Sequence, residues 1–301
     1  MGGTKVLGAV IDAGGTILRE ARRSTPRGGA AILDTVAGVA AELGAGREGA
    51  TLGVGIAGLV ERRGVLLAAP NLAVDEPLDV RGGLRDRLRV DAAVDNDATC
   101  AAVAEWRTGA ARGADDVVLV TLGTGIGGGL ILGGAVQYGA HGFTGEYGHM
   151  VVDPDGPRCP CGRRGCWERY ASGAGLAMLA RRAAADGRLT IAVAGDELRG
   201  EDVRTAAQAG DAGALAVIDE FARWVAIGLV NLTNLVDPAI IVLGGGLAAD
   251  AELYEPPIAR WFDALLYSSE IRPAPTLAFA TLGEHAGAIG AALLGAATAA
   301  R

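Results

Sequence analysis

Twice along this chain a short apolar run meets a turn of glycine and threonine and then resumes as a second run. Val6–Ile11 enters Asp12-Ala13-Gly14-Gly15 and returns through Thr16–Arg19. Val117–Leu122 enters Gly123-Thr124-Gly125-Ile126-Gly127-Gly128-Gly129 and returns through Leu130–Leu132. Each reads as a β-hairpin. Helical stripes lie between and beyond them. Ile32, Leu33, Val36, Val39, Ala40 and Leu43 recur at helical spacing within Gly28–Leu43, which Gly44 ends. Further helices are predicted over Asp97–Trp106, Ser172–Ala185 and Asp211–Leu235, the last stopped by Asp237-Pro238. Strands are predicted at Leu52–Ile56, Val90–Val94 and Ile240–Leu243, with another hairpin through Arg62-Arg63-Gly64. Such interleaving specifies an α/β chain. The repetition has no fixed period, but it suggests a duplicated architecture with one nucleotide-sized cleft between its halves. The boundary is expected near Thr108–Ala114, giving a small domain over 1–110, joined by a C-terminal helix over 286–301, and a large one over 111–285.

Glycine makes up 48 of 301 residues, about 16% against roughly 7% in ordinary proteins. No glycine repeats at every third position, which excludes collagen. Only 11 prolines and a mean hydropathy of +0.30 argue against low-complexity disorder. The glycines therefore belong to ordered turns and close backbone approaches. Acidic residues outnumber basic ones by 35 to 27, aromatics are 4%, and no basic block occurs. That excludes a nucleic-acid footprint or a base-stacking platform. The uncharged stretch Val117–Ala140 could span a membrane by length, but its eight glycines break it into short strands. Ala286–Ala300 is too short to span, and the N-terminus carries no secretory signal. The expectation is a cytoplasmic protein with neither membrane nor nucleic-acid partners.

Three groups of residues carry chemistry. The first is a set of glycine turns: Gly2-Gly3-Thr4-Lys5, the stretch Gly123, Thr124, Gly125, Gly127, and Gly244-Gly245-Gly246. Glycine admits phosphate oxygens to backbone N–H groups, and threonine adds a donor. None fits a Walker P-loop or a dinucleotide fingerprint. One such turn alone reads as a hairpin; three, each flanking a short strand, point to phosphate binding. The second is Cys159-Pro160-Cys161-Gly162-Arg163-Arg164-Gly165-Cys166, with His149 ten residues earlier. Three thiolates and an imidazole make a closed tetrahedral zinc set, structural rather than catalytic. A disulfide is the alternative, though nothing suggests an oxidising compartment. Cys100 stands apart in an apolar helix and reads as a core residue. The third group is Asn71, Asn96, Asp97, Glu146, His149 and Glu168 in otherwise apolar surroundings. Carboxylates and carboxamides suit bidentate binding of vicinal hydroxyls, and one carboxylate could act as base towards a hydroxyl. Asn96 or Asp97 would also make a good helix cap, so Asp97 suits capping as well as catalysis.

Taken in order, Gly-Gly-Thr-Lys, Pro-Asn-Leu, Asn-Asp-Ala, Leu-Gly-Thr-Gly-Ile-Gly-Gly-Gly, Gly-Glu-Tyr-Gly-His, Cys-x-Cys-Gly-x-x-Gly-Cys-Trp-Glu and Leu-Gly-Gly-Gly resemble the ROK family of sugar kinases and repressors. The likeness is strongest to its bacterial glucokinases and covers nearly the whole chain. It implies an actin-like (ribonuclease H-like), hexokinase-type fold of two α/β domains around a cleft, acting as a homodimer or a dimer of dimers. It implies ATP, Mg²⁺ and structural Zn²⁺ as cofactors and a hexose, glucose first, phosphorylated at its 6-hydroxyl. It makes Asp97 the base and Asn71, Asn96, Glu146, His149 and Glu168 the sugar ligands. His149 is then shared with zinc, which Cys159, Cys161 and Cys166 complete. Gly123–Gly127 would meet phosphate, and Gly244–Gly246 would lie near the adenosine. Fructose, mannose or N-acetylhexosamine are alternative substrates within the class. A sugar-sensing regulator is the rival from another class, without a helix-turn-helix segment here to support it.

The sequence departs from the family in one respect. The family's Gly-Gly-Thr turn follows a strand ending in Asp, whereas Met1 stands directly before Gly2. The first strand is expected to be absent, leaving a sheet edge open: either the natural chain starts further upstream, which is the preferred reading, or the chain as written is weakened or a pseudokinase. Asp12–Gly15 resembles the absent motif but is read as a hairpin turn. Ala57, where the family often has Pro, is a smaller departure of little expected effect.

Overall fold

A computed structural model describes residues 1–47, 49–74, 77–193, 195 and 197–299. Its strands and helices in chain order are β1 (Lys5–Ile11), β2 (Ile17–Ser24), α1 (Gly29–Leu43), β3 (Leu52–Ile56), β4 (Leu59–Val60), β5 (Val65–Ala68), β6 (Leu78–Asp79), α2 (Val80–Leu88), β7 (Ala92–Asn96), α3 (Asp97–Thr108), β8 (Val117–Leu122), β9 (Ile126–Leu132), β10 (Ala135–Val136), α4 (Glu168–Ala171), α5 (Gly173–Ala185), α6 (Gly200–Gln208), α7 (Ala212–Val236), β11 (Ile240–Gly244), α8 (Ala251–Leu265), β12 (Thr276–Phe279) and α9 (Ala286–Ala299). Short 3₁₀ turns lie at Tyr147–His149, Gly246–Asp250 and Gly283–His285. The helix predicted over 286–301 is described to Ala299; residues 300 and 301 lie outside the described residues. The chain divides into two compact units. One comprises Met1–Leu119, Gly128–Gly145 and Ala280–Arg301; the other comprises Val120–Gly127 and Glu146–Phe279.

In the first unit β1 and β2 pair antiparallel. The Asp12 carboxylate accepts from the Gly14 and Thr16 N–H groups at 2.9 and 2.8 Å, so Asp12–Gly15 is a self-bonded hairpin turn. β3 and β7 run parallel, in register from Leu52↔Ala92 to Ile56↔Asn96. Met1 takes a ladder position beside β3, its carbonyl accepting from the Ala57 N–H at 3.0 Å. Val6, Leu33, Val36, Val54, Ile56, Leu84 and Val94 form the core. The strand predicted at Val90–Val94 begins at Ala92 instead, because Arg89 ends α2 in the left-handed conformation (φ 57°) and turns the chain first. α9 packs on α3 and β3. The approach requires glycine: a Cβ on Gly290 would overlap the Cys100 carbonyl, and one on Gly53 the Ala291 carbonyl. Cys100 is fully buried at this crossing.

In the second unit, which takes β8 from Val120 onward, the strand order is β8-β11-β12, with β11 and β12 parallel and all of β11 buried. α7 buries Val217, Phe221, Val225 and Leu229 along one stripe. α8 packs on α7 through Tyr254, Ile258 and Phe262, four residues apart. That helix is invisible to pattern reading because Pro256 and Pro257 sit inside it and read as a stop. The stretch Val117–Ala140 resolves into β8, β9, β10 and their turns, and no described helix is long and apolar enough to cross a membrane.

Candidate active site

In the first unit β7 delivers Asn96 and Asp97 to the start of α3. The Asn96 Oδ1 accepts from the N–H groups of Ala98 and Thr99 at 2.8 and 3.2 Å, and its Nδ2 donates to the Gly58 carbonyl at 3.0 Å. Asn96 is therefore the cap, and the Asp97 side chain is released from that duty. Asp97 is half-buried, and burial lifts its pKa above the usual carboxylate value. The Met1 ammonium and the N–H groups of Ala98 and Asp97 offset part of that rise.

Asn71 stands exposed in a turn closed by Leu72 N–H donating to the Ala69 carbonyl at 3.0 Å. Gly3 abuts it, since a Cβ there would press on the Asn71 carbonyl. The Gly2–Lys5 turn is closed by Gly2 N–H on the Lys5 carbonyl at 3.1 Å, and the Thr25 hydroxyl donates to the Gly2 carbonyl at 2.7 Å. The Lys5 ammonium pairs with Glu284, which also receives Arg22 at 2.7 Å. These two cations pull the Glu284 carboxyl down to about 2, Lys5 contributing most.

In the second unit His149 closes the Tyr147–His149 turn. The knuckle from Cys159 to Cys166 folds on itself through Cys159 N–H to the Arg163 carbonyl, 2.8 Å, and Gly162 N–H to the Cys159 carbonyl, 3.0 Å. Ligand atoms of His149, Cys159, Cys161 and Cys166 all lie within 4.8 Å of one another. The Cys161 and Cys166 sulfurs are 3.6 Å apart. A disulfide needs about 2.05 Å, whereas a tetrahedral zinc with Zn–S near 2.3 Å holds its sulfurs roughly 3.8 Å apart. The four residues fit zinc. Glu168 borders this cluster: its Oε1 is 3.2 Å from the Cys159 sulfur and 3.9 Å from His149 Nδ1. Its other oxygen faces Gly125, 2.9 Å from where a Cβ would stand. Glu146 lies 3.9 Å from His149 Nε2. Glu146, His149 and Glu168 are thus one group, joined to the glycine turn through Glu168.

That turn is braced by Gly173 N–H on the Gly123 carbonyl at 2.8 Å and by Gly127 N–H on the Thr121 hydroxyl at 3.1 Å, with Thr124 exposed at the tip. Gly245 lies at φ 84°, where an added Cβ would stand 2.5 Å from the Leu122 carbonyl oxygen. Gly244–Gly246 therefore backs onto the strand that leads into Gly123, and Gly246 faces open space.

A family model described as "ROK family" matches residues 1–298. This chain belongs to the ROK family. A glucokinase of Streptomyces coelicolor is 36% identical to it over 301 residues, 97% of this chain and 94% of the relative. Among solved structures, a ROK family glucokinase from Streptomyces griseus, in complex with glucose and AMPPNP, aligns with TM-score 0.85 at 37% identity. It covers 99% of this chain and 97% of that one. A ROK hexokinase from Thermus thermophilus aligns with TM-score 0.86 at 35% identity, over 100% and 97% of the two chains. The fold is accordingly the actin-like hexokinase type, and the chain is an ATP-dependent ROK sugar kinase.

Two carboxylates of this ROK chain escaped sequence reading. Asp95 precedes the Asn-Asp pair on the same strand. Burial raises its pKa to about 6, although the Asn96 N–H and the Tyr138 side chain hydrogen-bond to it. Its signal was the spacing of Asp95 and Asp97 across the end of β7 and the start of α3. Glu105 is fully buried in α3, and a single acid inside an apolar helix gave no signal of where its partners lie.

Proposed function

We propose that this ROK sugar kinase transfers the γ-phosphoryl group of MgATP to the 6-hydroxyl of glucose, with Asp97 as the base. The observation that carries the reading is the division of labour at the start of α3. Asn96 makes the cap, so the Asp97 carboxylate stays available with a raised affinity for a proton. Asp97 takes the hydroxyl proton as the oxygen forms its bond to the γ-phosphorus. The bond to the β,γ-bridging oxygen breaks, and ADP leaves with that electron pair. Likeness to a glucokinase that binds glucose and AMPPNP supports glucose and ATP as the substrates.

Sugar contacts are assigned to Asn71 and Asn96 in the first unit and to Glu146, His149 and Glu168 in the second. Asn96 has little left to offer. Its oxygen serves two N–H groups and one Nδ2 hydrogen serves Gly58, leaving one N–H for a hydroxyl. The turns Gly2–Lys5 and Gly123–Gly127 are assigned to phosphates, and Gly244–Gly246 to the adenosine side. Zinc on His149, Cys159, Cys161 and Cys166 supplies rigidity to the strand of chain that carries His149 and Glu168. The resemblance also implies a homodimer or a dimer of dimers, checked by light scattering on the eluted protein.

Asp97→Ala should lower turnover of glucose by roughly 10²–10⁴ in a coupled ADP assay while the fold is kept. Turnover within tenfold of the parent rejects Asp97 as base. Because its pKa is raised, the base form is lost as pH falls through a value above the usual carboxylate range, so kcat/KM drops on that acid limb. A panel of glucose, fructose, mannose and N-acetylglucosamine ranks the substrates, and a higher kcat/KM on any but glucose displaces the glucose assignment.

A further inference from the structure

We infer that the first unit holds a second small-molecule site, for a phosphate monoester of a polyhydroxy compound, in a cavity lined by none of the residues assigned to sugar or ATP. The cavity has a volume of about 260 Å³, and its walls include Val60, Arg62, Arg81, Asp95, Tyr138 and Thr298. That is just below the usual size of small-molecule sites, roughly 300–1,000 Å³, and too small for a nucleotide.

The charge on its walls selects the ligand. Arg81 Nε is buried and has no partner. The Arg62 guanidinium lies 5.7 Å over the Tyr138 ring. Neither arginine enters an ion pair among the described residues. Glu61, which also lines the cavity, is engaged by Arg63 at 3.1 Å. Two guanidiniums that enter no ion pair among the described residues thus face one cavity, and their planar forks match phosphate oxygens. Asp95 and the Thr298 hydroxyl supply acceptors for hydroxyl groups, and the Tyr138 ring and Val60 an apolar face. These are the features of a sugar ring carrying one phosphate.

The cavity wall is β7, whose Ala93, Val94 and Asp95 line it and whose next residue, Asn96, caps the helix that begins with Asp97. Asp95 accepts from the Asn96 N–H at 2.8 Å, so an occupant bound at Asp95 bears directly on that cap. This consequence for turnover rests on the role assigned to Asp97; the binding itself does not.

Isothermal titration of glucose 6-phosphate into the whole chain, with glucose and AMPPNP both saturating, tests the site. One equivalent should bind. Arg62→Met and Arg81→Met should each weaken binding at least tenfold, and Thr298→Trp, which fills the cavity without removing a charge, should abolish it. All three should keep kcat and KM for glucose within twofold, which also shows that they fold. Binding that vanishes when glucose and AMPPNP are present, or that persists unchanged in the variants, overturns the inference. Asp97→Ala should still bind the probe, so a failure of the Asp97 assignment leaves this result standing.

Discussion

Glu105→Ala is the sharpest test of how the first unit is held together. The Glu105 carboxylate is fully buried and accepts four hydrogen bonds. One oxygen takes the N–H groups of Thr281 and Leu282 at 2.9 and 2.8 Å; the other takes the Ala110 N–H at 2.8 Å and the Thr281 hydroxyl at 3.2 Å. Gly109 makes room, since a Cβ there would overlap the same carboxylate. Alanine leaves three backbone donors without an acceptor, at about 1–3 kcal/mol each if water does not reach them. With partial hydration the expected loss is roughly 3–5 kcal/mol. Glu105→Gln keeps the shape and one oxygen, but its amide meets the Ala110 N–H donor to donor, so about 1–3 kcal/mol is expected. Trp106, the only tryptophan within the first unit, reports its unfolding in urea. Amide exchange at Thr281 and Leu282 reports the local contact, and both should accelerate in the alanine variant. A loss below about 1 kcal/mol, with those two amides exchanging as in the parent, would refute the reasoning.

Metal analysis should find about one zinc per chain, and Cys161→Ser should release it and lower the melting temperature. Metal-free protein of full stability counts against the four-ligand assignment. Asp95 has a folded pKa near 6 against 3.8 for the free side chain, so the folded state binds more protons between those values. Stability of the first unit should therefore rise as pH falls from about 7 towards 4 relative to Asp95→Asn, and identical pH profiles would reject the burial argument. Gly290→Ala places a methyl on the Cys100 carbonyl at the α3–α9 crossing. It should cost at least as much as ordinary core overpacking, about 1–3 kcal/mol, and a neutral effect in thermal unfolding would show that the helices can part there.

Much of the fold was legible because its signals are local. β3 and β8 fall where periodicity puts them, and α1, α5 and α7 within a residue, since apolar spacing and glycine stops act over a few residues. Asp12–Gly15 could be read as a hairpin turn from its place after an apolar run. What escaped has distant causes. α8 survives two internal prolines because Tyr254, Ile258 and Phe262 pack on α7, a gain that no window around the prolines contains. Which of Asn96 and Asp97 caps α3 was not legible either: it is Asn96, which accepts from the Ala98 and Thr99 amides.

The sequence by itself determined the chemistry that lies within one turn or one knuckle. Cys159, Cys161 and Cys166 stand within eight residues with glycines between them, so the chain has little choice but to bring the sulfurs together. The family likewise followed from short motifs in order. Tertiary structure alone decided which polar groups meet across the chain. Glu105 and Thr281 are 176 residues apart, and Arg62, Arg81 and Asp95 share one cavity only because β7, α2 and the β4–β5 turn converge. The physical reason is that a buried carboxylate such as Glu105 must find a partner wherever folding places one, and what shares a site is set by packing rather than by neighbours in sequence.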